Sequence, residues 1–91
     1  MMSESSMITR LADGQHEIWA HWMRYLFKCS TKNEDGSVTI PADKVERWEC
    51  QMVTNYHDLS YQEQRSDVSQ ARKVMALIRD EIDKLLAQAA G

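Results

Sequence analysis

The chain has 91 residues, 27% of them charged, with a formal net charge of −3 and a pI near 5.5. That length fits one domain, whose thin core is marginal unless it is well packed or oligomeric. The acidic balance tells against a bulk nucleic-acid binder and is too mild for a DNA mimic, and no apolar run approaches the ~20 residues of a membrane-spanning helix.

The first segment, MMSESSMITR, lacks a hydrophobic signal core, so a cytoplasmic protein without membrane attachment is the expectation. Residues 1–6 are polar and read as a frayed, flexible tail, leaving 7–91 as a single helical domain. From Met7 the spacing turns helical. Ile8, Leu11, Ile18, Trp22 and Leu26 lie near one stripe, and HEIWAHWMRYLF (His16–Phe27) concentrates aromatic side chains that other parts of the chain must cover. Asp13-Gly14 interrupts the pattern, since glycine costs about 1 kcal/mol against alanine inside a helix. The reading favoured is one nearly continuous helix from about Met7 to Cys29, weak at Gly14.

Ser30 to Thr39 reads as a loop around the turn dipeptide Asp35-Gly36. Val38 and Ile40 alternate with polar residues, but no partner strand is evident, so no sheet is assigned. Pro41 suits the first turn of a second helix, expected over Ala42–Tyr56 with a narrow seam of Val45, Trp48, Met52 and Tyr56. Ser60 with Glu63 three residues on is a capping box that opens a third helix. Along it, Val68, Ala71, Met75, Ile78, Ile82, Leu85 and Ala89 alternate steps of three and four. This seam could pack on the first two helices or pair with a copy of itself. The fold expected is all-α: a small three-helix domain with a long C-terminal helix.

Chemistry is sparser. Cys29 and Cys50 form no CxxC pair, and two free thiols, one of them buried, are expected. His16 and His21 sit five apart, a poor spacing for shared ligation, so no metal is expected. No nucleophile is tied to Glu17 or His21 and no glycine-rich phosphate loop occurs, which points to a non-enzyme without a cofactor. Trp19, Trp22 and Trp48 could stack on a base, or could be core, as their helical seams suggest for Trp22 and Trp48. His21, Arg24 and Lys28 form a cationic stripe that could hold phosphate or could simply be solvated; Arg47, beside Trp48, is a second phosphate candidate.

Two stretches resemble the ryanodine-receptor-type (RyR) domain and small phage or prophage proteins similar to it. QHEIWA, Gln15–Ala20, is similar to that family's His-Glu-x-Trp-Ala helix. YHDLSYQEQRSDVSQA, Tyr56–Ala71, is similar to its Tyr-x-x-Leu-Ser-x-x-Glu-x-x-x-Asp segment. The family's Gly-Trp-x-Tyr-Gly segment and its His-Pro element are absent here. The resemblance implies a receptor for nucleotide-derived signals of the ADP-ribose type. The ligand-binding set drawn from residues and resemblance together is His16, Trp19, His21, Arg24, Arg47, Trp48 and Tyr56. The pocket is expected between the first two helices, with a base on Trp19 and phosphates on Arg24 and Arg47, in a homo-oligomer formed through the C-terminal helix. In a phage setting such a module would sequester a host immune signal. The alternative is a protein-binding inhibitor of a host defence complex, suggested by the heptad seam and the mixed-charge surface. A DNA-associated regulator is disfavoured by the net charge.

Overall fold

A computed structural model of the chain describes residues 4–90, with side chains from residue 6 onward. The fold is all-α. Helix α1 spans Glu4–Cys29, α2 spans Ala42–Met52 and α3 spans Tyr61–Ala90, with a short hairpin (β1, Thr31–Lys32; β2, Val38–Thr39) between the first two helices. A 3-10 turn, Tyr56–Asp58, leads into α3. Among the described residues no helix is long and apolar enough to cross a membrane.

Helix α1 runs unbroken through Gly14. The same glycine lets α1 and α3 meet: a β-carbon built there would lie 3.0 Å from Val74 Cγ2 and 3.3 Å from Leu77 Cδ1. Helix α1 also begins earlier than expected. Glu4–Ser6 belong to it, while residues 1–3 of the expected tail lie outside the described residues. The two long helices are antiparallel, because Gly14 faces Val74 and Leu77 while Ser6 and Arg10 reach Glu81. Glu81 is buried on this seam. Arg10 Nε stands 3.5 Å from its Oε1, and the Ser6 hydroxyl donates to its Oε2 at 3.5 Å. Gln70 is buried as well.

The expected structureless loop is instead a two-stranded antiparallel hairpin, pairing Thr31 with Thr39 and Lys32 with Val38. Thr31-Lys32 carries no strand signal in the sequence because both residues are exposed and polar and so show no apolar alternation. The turn is locked by side chains. Asp35 Oδ1 accepts from the Ser37 hydroxyl at 2.6 Å and from its backbone N–H at 3.0 Å, which holds the Asp35 carboxyl below its usual range. Gly36 takes φ +90°, a conformation other residues adopt only with strain.

Helix α2 stops at Met52, four residues short of the expected Tyr56. The Thr54 hydroxyl donates to the Cys50 carbonyl at 2.6 Å and so takes up an end-of-helix acceptor, and Tyr56 falls in the 3-10 turn. Pro41 serves as the N-cap, one position ahead of the first turn. The capping box forms as expected: Ser60 N–H donates to Glu63 Oε1 at 3.1 Å, and Glu63 N–H donates to Ser60 Oγ at 3.2 Å. Gln64 Nε2 donates to the Tyr56 carbonyl at 2.9 Å, tying the 3-10 turn to α3.

The helices do not close around a core. No hydrophobic side chain among the described residues is fully buried. The radius of gyration is 18.0 Å, against roughly 12 Å for a compact chain of this length, and the molecule measures 59 × 34 × 16 Å.

Candidate functional site

Where α1 passes α2 and the start of α3, the helices splay and leave an open cleft of about 1040 Å³. Three layers line it. The last turns of α1 supply His21, Trp22, Met23, Tyr25 and Leu26. Helix α2 and the residues after it supply Arg47, Trp48, Gln51, Met52, Thr54, Tyr56 and Leu59. The first turns of α3 supply Gln62, Glu63, Ser66 and Asp67.

The floor is aromatic because positions three and four apart share a helix face. The His21 and Trp22 rings meet edge-on at 4.7 Å between centroids, Trp22 and Tyr25 at 6.2 Å, and Tyr25 reaches across to Trp48 at 6.2 Å. This edge-to-face series joins α1 to α2, and Lys44 Nζ lies 6.0 Å from the Tyr25 ring centre. The three rings are half-buried, so each packs on one side and leaves surface toward the cleft.

The polar rim is mixed in charge. Arg47 is exposed at the mouth and acts on Glu63, whose carboxyl is held below its ordinary range first by the Ser60 hydroxyl, then by the Ser60 backbone N–H, with Arg47 adding a smaller pull. Asp67 sits one helical turn further along the same face of α3. One guanidinium therefore shares the cleft lining with two carboxylates. That arrangement suits hydroxyl-rich or singly anionic groups better than a densely charged polyphosphate.

Of the seven residues expected to bind ligand, His21, Arg47, Trp48 and Tyr56 line this cleft. His16, Trp19 and Arg24 do not. Trp19 is 56% exposed and stacks on His16 at 5.8 Å along the surface of α1, and Arg24 is exposed away from the cleft. The rings that replace Trp19 are Trp22 and Tyr25. Their signal was already present in the His21–Tyr25 and Trp22–Tyr25 spacings of four and three. Asp67, Gln62 and Ser66 were missed as cleft residues, because only the position of α3 brings them there.

Among the described residues no group of three His, Cys, Asp or Glu side chains is placed to hold a metal. Cys29 and Cys50 are free thiols. Cys29 is half-buried and Cys50 exposed, so neither is the buried cysteine that was expected. Comparison with protein-family models, with curated proteins and with solved structures returns no match for this chain.

Proposed function

We propose that this chain is a non-catalytic, phage-type binding module of RyR-like character, acting in the bacterial cytoplasm to capture a nucleotide-derived molecule of the ADP-ribose type. The observation that carries this reading is the half-buried Trp22–Tyr25–Trp48 series lining a cleft with Arg47 at its mouth. The base stacks on Trp48 or Trp22. Asp67 accepts hydrogen bonds from ribose hydroxyls, and Arg47, with His21, meets phosphate at the open edge. This is a smaller role for cations than Arg24 and Arg47 acting together would give. The molecule is held and not transformed.

Titration calorimetry with ADP-ribose, its cyclic relatives and cyclic nucleotides tests the reading. Binding of at least one compound, weakened by Trp48→Ala and Arg47→Ala, supports it. Absence of binding across the panel removes it.

A second reading, an inhibitor that docks on a host defence protein, is favoured by one specific observation. Among the described residues twelve large apolar side chains, including Met52, Val53 and Tyr61, are exposed. Affinity capture from bacterial lysate separates the two. A stoichiometric protein partner without any small-molecule ligand favours docking, and a nucleotide carried through purification favours capture.

A further inference from the structure

The heptad seam of α3 does not face α1. Residues Gln70, Val74, Leu77 and Glu81 face it, through the close approach at Gly14 and the Arg10–Glu81 pair. At 100° per residue the seam of Met75, Ile78, Ile82 and Leu85 lies about 90° further round α3. On α1, Ile8 and Leu11 lie about 90° round from Gly14. Because the helices are antiparallel, the two rotations run in opposite senses when viewed down one axis. Both stripes therefore turn to the same side of the helix pair. They also lie at the same level, since residues 6–14 of α1 run beside 74–81 of α3.

The result is a two-helix apolar face left uncovered. Ile8 is 55% exposed, Leu11 41%, Met75 49% and Leu85 43%, with Ile78 and Ile82 partly exposed between them. We infer that a second copy of this chain covers the face, so that two α1–α3 hairpins complete one four-helix bundle. This goes beyond ligand capture and does not depend on it.

Three observations favour a second copy over an unrelated partner. The seam keeps the alternation of three and four from Val68 to Ala89 with no charged residue on it, the pattern by which helices pair with like helices. The six side chains present on the order of 450 Å² of apolar surface, about the apolar share of the ~800 Å² that each partner gives to a stable interface. The chain also buries no hydrophobic side chain fully among the described residues, so its core is completed only by association.

Sedimentation velocity across a concentration series tests the inference, with the double variant Met75→Lys/Ile82→Lys and the control Asp80→Ala on the opposite side of α3. Wild type and control are expected to sediment at twice the 10.6 kDa chain mass, and the double variant at the single mass or unfolded. Should the double variant unfold, the wild-type melting midpoint supplies the second readout: it rises with protein concentration if folding and association are linked. A wild type that stays monomeric from micromolar to millimolar, with a concentration-independent midpoint, overturns the inference. A double variant that remains a dimer overturns it too, by placing the interface elsewhere.

Discussion

Gly14→Ala opposes two effects whose sizes can be estimated. Alanine inside a helix is better than glycine by about 1 kcal/mol, so on propensity alone the change would stabilise α1. The new methyl, however, would stand 3.0 Å from Val74 Cγ2 and 3.3 Å from Leu77 Cδ1, inside ordinary contact distance. Val74 is β-branched and stiff at its first torsion, so it cannot swing away, and overpacking of this kind costs about 1–3 kcal/mol. The net expectation is a loss of about 1 kcal/mol. On a Val74→Ala background the stiff, nearer obstruction is gone and only the rotatable Leu77 Cδ1 at 3.3 Å has to give, so the same substitution should stabilise by up to about 1 kcal/mol, giving a coupling of up to about 2 kcal/mol between the two sites. Urea unfolding of the four proteins at one fixed concentration reads this cycle. Gly14→Ala stabilising the wild type by its full propensity gain, with no coupling to Val74, would refute the close approach of α1 and α3.

Other outcomes follow from the same contacts. Arg10→Ala leaves the buried Glu81 carboxylate without its cation and should cost about 1–2 kcal/mol, less than a fully buried pair because Arg10 is half exposed; adding Glu81→Leu should recover most of it in urea titration. Ser60→Ala removes the Oγ that accepts from the Glu63 N–H, leaving only the backbone half of the capping box, and should cost about 1 kcal/mol. Glu63 has a folded pKa below its unfolded one, so its contribution is present above the unfolded value and is lost as pH falls through the lower folded value. Melts taken below about pH 4 should therefore show an acid-side loss that Ser60→Ala diminishes. Trp48→Ala should weaken ADP-ribose-type binding by about 1–3 kcal/mol in calorimetry, while Trp19→Ala should leave both binding and melting nearly unchanged.

Local signals read well from the sequence. The Ser60–Glu63 box, the long third helix and the continuity of α1 all rest on interactions within a few residues, and those form as expected. Features that depend on distant partners did not read. Thr31-Lys32 looks like any polar loop until Val38-Thr39 pairs with it. At the end of α2 the Thr54 hydroxyl bonds back to the Cys50 carbonyl beside the Val53 and Thr54 backbone N–H bonds to the last turn, and the apolar seam gives no sign of it. The site divided along the same line. Arg47, Trp48 and His21 were found by residue type, but which tryptophan of α1 faces the cleft depends on how α1 is rotated against α3. That rotation is set at Gly14, two turns from Trp22, and it leaves Trp19 on the outside. The heptad seam shows the same dependence: its spacing was plain, yet the face that packs on α1 is a neighbouring one carrying Gln70 and Glu81.

In the proposed function, rings from α1 and α2 grip a nucleotide-derived ligand. The chain has three tryptophans, hence three indole N–H signals in a two-dimensional proton–nitrogen NMR spectrum. Titration with ADP-ribose should shift the signals of Trp22 and Trp48 and leave that of Trp19 in place. Movement of the Trp19 signal alone, or of none of the three at saturating ligand, would contradict it.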